Sequence, residues 1–520
     1  MDASFAILAD SHVPGCRGTA QEAALGWALG VCATRGVKVV VGLGDLTAAG
    51  DRFSADRVLG LFRACPLPSV QTPGNAELRT SRDAGVVRRV FSEPCFFRGA
   101  DWGIVALDTA EGSITEAEKA GFTRRLAALG SLRTVVVTHW PPQAIRGSDR
   151  LWLADLCRVG NIELIVAGHK HMDAVGMLAG VPVHVVRGLD PDKAKHGAPA
   201  VSLFRRSRDE WVRCELPFEM SDPATWGAAE KRELAMHLGV STMSHTIAYF
   251  EEAIEAGIRN VELRFDSSLQ PQADILADLV SLWRSGGGRI LSVHCPNLRW
   301  DADAGAIAGQ DEFAASIRFA GALHADHVTV HVPRVSVACM TPGGEAWSAF
   351  IEVYGRLLRD VASVGTTVGI ENLHTQRSEP SDGRRRFGCL PSECLSWIDA
   401  LRSVLAEARI GFHLDIGHAR NNPPFSTTWT LGRWYAETGA EVVAYHVHQV
   451  NGNGNHQPMH RPFGPLISLA SFFWAWRTGQ VTHGPIFLEI RGEPGRVSWE
   501  YLRRHILGGG DPVRGCTDTG

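Results

Sequence analysis

Short apolar runs that stop abruptly at polar residues recur along this chain. Up to about Leu216 they read FAILAD, VKVVVGLGD, WGIVALDT, RTVVVTHW, IELIVAGH and VPVHVVRG, with helix-like stretches between them. That alternation predicts a layered α/β domain over residues 1–216. From Pro217 the segment PFEMSDPATWGAAEKRE mixes Pro, Gly and charge without a strand period, so residues 217–236 read as a linker. Eight further β-rich runs follow between Gly239 and Arg491: GVSTMS, NVELRF, RILSVHCP, HVTVHVP, TVGIENL, RIGFHLDIGH, EVVAYHVHQ and PIFLEIR. Most are separated by helix-length segments, and eight βα units in one block predict a TIM barrel over residues 237–507. Residues 508–520, rich in glycine, read as a flexible tail.

Composition narrows the class. The 520 residues exceed one ordinary core, with 45% hydrophobic and 21% charged residues as in globular proteins. Lys and Arg number 52 against 56 Asp and Glu, a net −4, so no global positive field recruits nucleic acid or anionic membrane. The N-terminus lacks the basic start of a signal peptide, and no apolar stretch approaches the roughly 18–20 residues that span a bilayer. Eleven cysteines without a C-x-x-C pair read as mostly buried thiols in a reducing compartment. A soluble cytoplasmic protein with no membrane partner is expected. Oligomeric state is not legible.

Histidine, at 21 residues, carries the chemistry. In the first domain five motifs fall in order at strand ends: Asp10-x-His12, Gly44-Asp45, Gly74-Asn75-Ala76-Glu77, Thr138-His139 and Gly168-His169-x-His171. Any one of them alone is ordinary turn or cap chemistry. As an ordered set they predict a two-metal arrangement, in which one Asp bridges cations about 3.5–4 Å apart that activate water and neutralise phosphoryl charge.

On those motifs the first 200 residues resemble the calcineurin-like metallophosphoesterase family. The resemblance implies a four-layer αββα sandwich holding two divalent ions, Mn, Fe or Zn. Asp10, His12, Asp45 and His171 would hold one ion, and Asp45, Asn75, His139 and His169 the other. Asp45, Asn75 and His139 would be catalytic. The family motif usually reads G-N-H-E or G-N-H-D, its His helping to protonate the leaving group; here that position is Ala76. A substrate that depends less on such an acid is expected, which favours phosphodiesters over monoesters.

In the barrel the strand-end residues are His294, His331, Glu371, Asp415, His418, His446, His448, His460 and Glu489. A single strand-end His is commonly structural or a substrate contact. Three carboxylates converging on one mouth repel unless a cation compensates, so a metal is expected. This block resembles the xylose isomerase-like barrels, a superfamily that includes sugar isomerases and epimerases and the endonuclease IV-type repair nucleases. The isomerase set implies one ion on Glu371, Asp415, His446 and Glu489, with Glu371 and Glu489 also moving protons at a sugar carbon. His418 would then contact substrate. The nuclease set implies three zinc ions and adds His294, His331, His418 and His460, with Pro458 where that family has Asp. His446 and His448 are read as facing opposite ways, and the pattern match favours His446. One to three divalent ions, Mn, Mg, Co or Zn, are expected.

These readings predict a bifunctional enzyme acting on small phosphoester and sugar substrates. The first domain would cleave a sugar- or polyol-containing phosphoester and the barrel would isomerise or epimerise the sugar. The alternative is a nucleic-acid processing enzyme, for which Arg384 to Gly388, RRRFG, is the best local basic loop.

Overall fold

The computed structural model describes residues 3–508, except 209, 244–245, 377–378, 380–382, 424, 452–453 and 465. The expected tail thus lies, but for its first residue, outside the described residues. The chain divides into two compact units. One runs to Asp222 and takes in Phe463–Trp474; the other runs from Pro223 to Pro462 and resumes at Ala475.

The first unit contains two sheets. The five-stranded sheet runs Glu210–Pro217, Ala200–Ser207, Ser4–Leu8, Val39–Leu43, Ser69–Thr72. Its last three strands are parallel, and the Ala200–Ser207/Glu210–Pro217 hairpin joins antiparallel to Ser4–Leu8. The six-stranded sheet runs Phe96–Arg98, Trp102–Leu107, Arg133–Thr138, Ile162–Ala167, Val181–Val185, Ala174–Leu178. Successive side chains on a strand face opposite ways, and this alternation sorts the core. Phe5 and Ile7 join Ile104, Val135, Val137, Leu164 and Val166 of the second sheet in one cluster. Ala6 and Leu8 turn instead to Leu25, Leu29, Val58 and Phe62 of the helices Ala20–Thr34 and Arg52–Ala64. On the second sheet Val105, Val136 and Ile165 pack with Phe122, Leu129, Leu153 and Cys157 of the helices Glu116–Leu129 and Gly147–Val159. Strands covered on both faces read as continuous apolar runs because neither face meets water.

The second unit is a closed barrel of eight parallel strands in chain order: Leu238–Thr242, Asn260–Arg264, Ile290–His294, His327–His331, Thr367–Glu371, Ile410–Asp415, Val442–Val447 and Ile486–Glu489. It closes where Leu238 pairs with Ile486 and Ser241 with Glu489. The interval read as a linker is more ordered than expected. It carries the helix Ala228–His237 leading directly into the first barrel strand, with Trp226 and Leu234 buried.

Barrel interiors are usually filled by branched apolar side chains, but this one is partly polar. Buried Glu262 accepts from Ser241 Oγ (2.8 Å), Ser292 Oγ (3.0 Å) and Thr329 Oγ1 (2.5 Å), and faces His446 Nε2 at 2.7 Å. His413 Nδ1 lies 3.1 Å from Thr329 Oγ1, and His327 Nδ1 lies 3.0 Å from Ser292 Oγ. Buried polar groups need such partners, since an unpaired one costs roughly 1–3 kcal/mol. No helix among the described residues is long and apolar enough to cross a membrane.

Candidate metal centres

In the first unit each expected ligand follows a strand, and the loops are tied to one another. Asp10 N–H donates to Gly44 O, and His12 N–H to Asp45 O, both at 3.0 Å. Glu77 locks the arrangement: its buried carboxylate accepts from the backbone of Asp45 (2.9 Å), Thr47 (2.9 Å) and Gly74 (2.7 Å), and from Thr47 Oγ1 (2.8 Å). Gly74 is demanded by packing, because a Cβ there would stand 2.3 Å from Asp45 N and 2.4 Å from Asp45 Oδ1.

The side chains converge in two groups, Asp10 with His12 and His171, and Asp45 with His139 and His169; within each, the ligand atoms lie within 4.8 Å of one another. Asp45 faces both: Oδ2 is 3.5 Å from His12 Nε2, and Oδ1 is 3.3 Å from His139 Nε2. Asn75 Oδ1 lies 3.2 Å from that same His139 nitrogen. His139 Nδ1 donates to Leu43 O at 3.0 Å, which leaves Nε2 facing the cluster. His171 Nε2 is 3.6 Å from Asp10 Oδ1, and the His12 and His171 rings stack at 5.3 Å. Trp140 stacks on His169 at 3.6 Å.

The atoms fit divalent cations. Asp10 Oδ1, both ring nitrogens of His12 and Nδ1 of His171 are buried without a hydrogen-bond partner. Burial, then Lys193, holds His12 and His171 well below the ordinary imidazole range, so both are neutral and offer the lone pair that ligation needs. Burial also pushes Asp10 up to about 7, reinforced by nearby Asp45, a cost that a cation removes. Ala76 is fully buried and supplies no acid. Arg79 stands beside Asp45, with Nη2 3.9 Å from Oδ2 and Nη1 donating to Ala48 O at 2.6 Å.

At the barrel mouth Glu371, Asp415 and Glu489 come together with His294, His331, His418, His446 and His448, all buried. Glu371 Oε2 faces His294 Nε2 and His331 Nε2, each at 3.2 Å. His294 Nδ1 donates to Cys295 O at 3.1 Å, again turning Nε2 inward. Asp415 lies 3.1 Å from His448 Nε2 and 3.2 Å from His418 Nδ1. His448 requires Gly417, whose Cβ would otherwise stand 1.9 Å from its Cε1. Buried atoms without a hydrogen-bond partner include His294 Nε2, Glu371 Oε2 and Glu489 Oε2, so this set also fits a cation. Burial pushes Glu371 and Glu489 up, but His331 and His446 for the first, and His456 and His446 for the second, hold both well below the usual carboxylate range.

Two readings need correction. Residues two apart on a strand share a face, and His446 and His448 both point inward. They differ in depth and partners. His446 has both nitrogens at carboxylates, Nε2 at Glu262 (2.7 Å) and Nδ1 at Glu371 (3.1 Å), and groups with Glu262 and His294; His448 is the one at Asp415. His460 is half exposed, pairs with Glu493 at 3.0 Å and packs on Tyr501. Four residues earlier, His456 takes the place expected of it, with Nδ1 3.1 Å from Glu489 Oε2, and groups with His418 and His448.

Sequence reading missed His456, Glu262, His327 and His413. A signal for His456 exists in the backbone. Among the described residues nine non-glycines have positive φ, and six are Asp10 (51°), His12 (44°), Asp45 (48°), His169 (71°), His171 (52°) and His456 (61°). Left-handed backbone at such residues marks strain held by a site.

Comparison with known proteins agrees with the barrel. Residues 250–506 match the xylose isomerase-like TIM barrel family, and a domain of that family occupies this part of the chain. No curated protein matches the chain. Among solved structures, D-allulose 3-epimerase from Methylomonas in complex with D-allulose is 16% identical, covering 52% of this chain and 94% of its own, at a TM-score of 0.35. A Thermus thermophilus protein soaked with zinc chloride is 20% identical over 53% of this chain and 99% of its own (TM-score 0.35). A dimetal phosphatase from Danio rerio is 14% identical over 42% of this chain and 99% of its own (TM-score 0.33).

Proposed function

We propose that the chain is a bifunctional metal-dependent enzyme. Its first unit, read as a four-layer αββα metallophosphoesterase sandwich, hydrolyses a sugar- or polyol-containing phosphoester. Its barrel isomerises or epimerises a sugar. The observation that carries the first half is Asp45, whose two oxygens face two separate imidazole groups at 3.5 and 3.3 Å. Asp10, His12, Asp45 and His171 would hold one divalent ion, and Asp45, Asn75, His139 and His169 the other. Two ions so held supply an activated water and neutralise charge on the phosphoryl oxygens.

The protein's own groups do the rest. Glu77 fixes the Asp45 and Asn75 loops by four hydrogen bonds. With Ala76 in place of an acid, nothing there protonates a poor leaving group, which favours diesters with stable departing alkoxides.

In the barrel Glu371, Asp415 and Glu489 remain the carboxylate ligands, with His448 in place of His446 as their imidazole partner. His446, clamped between Glu262 and Glu371, positions Glu371, and Glu371 or Glu489 moves the proton at the sugar carbon. A second reading has its own support. His294 and His331 on Glu371, and His418 with His448 and His456 near Asp415 and Glu489, exceed what one ion needs. A three-ion, endonuclease IV-like barrel acting on nucleic acid would use them all.

Metal stoichiometry on the purified chain separates the readings. About two ions in the first unit plus one in the barrel support the isomerase; three in the barrel support the nuclease. Loss of both first-unit ions with retained barrel metal would defeat the phosphoesterase half alone.

A further inference from the structure

Three arginines gather on neighbouring loops at the C-terminal mouth of the barrel. Arg299 follows the strand Ile290–His294, Arg334 follows His327–His331, and Arg386 follows Thr367–Glu371. Backbone pairing fixes their positions. Arg299 and Arg334 form a parallel bridge; Arg334 N–H donates to Leu298 O at 3.0 Å, and Trp300 N–H to Arg334 O at 3.2 Å. Ser336 bridges Arg386, flanked by Val337 N–H to Arg385 O and Phe387 N–H to Val335 O, each at 2.9 Å. Bridged residues of adjacent strands project to the same side, so Arg299 and Arg334 lie side by side.

Their charge is poorly matched. Among the described residues the cluster's opposing charge is Glu379, whose carboxylate is 2.6 Å from Arg386 Nε; Arg299 and Arg334 are exposed. Partial desolvation, then Arg386 and Arg299, pulls Arg334 below the ordinary guanidinium range. Within the same basic run Arg385 is different: it is buried and forks onto Glu393, a structural pair. A fourth guanidinium stands at the metal cluster itself, Arg264 Nη1 lying 3.4 Å from Glu489 Oε1 with a third of the side chain exposed. Like charges held together against their repulsion await an anion, and guanidinium forks match phosphate geometry.

We infer that the barrel takes a phosphate-bearing small substrate, its phosphate held on the rim by Arg299, Arg334 and Arg386 while Arg264 contacts the part that reaches the metal cluster. This rests on the barrel reading above.

Calorimetric binding of D-fructose 6-phosphate and D-fructose to the full chain tests this, comparing wild type with the double substitution Arg299→Ala and Arg334→Ala. The first unit's own affinity for phosphate is common to both proteins and cancels. Wild type should prefer the phosphorylated sugar, and the double variant should bind it about tenfold or more weaker with D-fructose binding and metal content unchanged. Equal affinity of the two proteins for the sugar phosphate overturns the proposal. So does an effect confined to a short abasic duplex, which would assign the rim to nucleic acid. Metal content measured on the same samples reports separately on the barrel reading: a barrel that holds no ion, yet keeps the arginine-dependent preference, defeats that reading and leaves the rim site standing.

Discussion

Single residues decide which chemistry each centre can do. Asp45 is the residue that both imidazole groups share, so Asp45→Asn should remove metal from the first unit and abolish phosphoesterase turnover while barrel turnover stays unchanged; equal loss of both activities would contradict independent centres. Arg79, one arm on the Ala48 carbonyl and the other toward Asp45, is placed to meet a substrate oxygen. Arg79→Gln should raise the KM for an aryl phosphodiester about tenfold or more with metal content intact. Ala76→His should gain activity on monoesters, up to about 10²-fold, and no gain would refute the account of that position. Most residues of the two clusters were legible because each ends an apolar run in polar residues. His456 was not, since its short hairpin Gln449–Asn451/Gly454–Gln457 has no such run, and a one-residue pattern cannot separate it from His460. Glu262 was hidden for another reason: a charge within NVELRF reads as solvent-facing, whereas here it points into a polar barrel interior.

At the scale of elements, legibility followed burial. The eight barrel strands and the central strands of the first unit are shielded on both faces and announce themselves as apolar runs. Phe96–Arg98 and Ala174–Leu178 are largely exposed edge strands, and such strands carry no continuous hydrophobic signal. Ala200–Ser207 and Glu210–Pro217 extend the first sheet antiparallel, with a polar outer strand that resembles a loop in sequence. The interval 217–236 contains the division between the units at Asp222/Pro223, but its helix Ala228–His237 was not legible, being mostly exposed with a weak apolar face. Packing between elements should be testable at Phe5, fully buried and stacked on Phe204 at 4.9 Å. Phe5→Ala should cost about 3–5 kcal/mol, read as an earlier denaturant transition of the first unit, with barrel unfolding unmoved. At the barrel mouth Gly417→Ala would drive a methyl into His448 and should lower barrel metal occupancy without changing that of the first unit.

For the whole molecule, two candidate metal clusters in separate units imply, under the proposed function, two separable losses. Glu371→Gln should abolish barrel turnover and spare phosphoesterase activity, the reverse of Asp45→Asn. Chelation should lower the unfolding temperature of both units, since ions that bind only the folded state stabilise it by about 2.7 kcal/mol at a hundredfold excess over Kd. Re-addition of Mn or Zn should restore each unit independently. Joining the units in one chain raises the local concentration of any shared intermediate.

The left-handed backbone at Asp10, His12, Asp45, His169, His171 and His456 has an evolutionary corollary. Each such residue costs roughly 1–3 kcal/mol that glycine would not, so a descendant with no use for these clusters could trade the side chains for glycine and become sturdier. Aspartate and histidine at these six positions set robustness against the clusters they build.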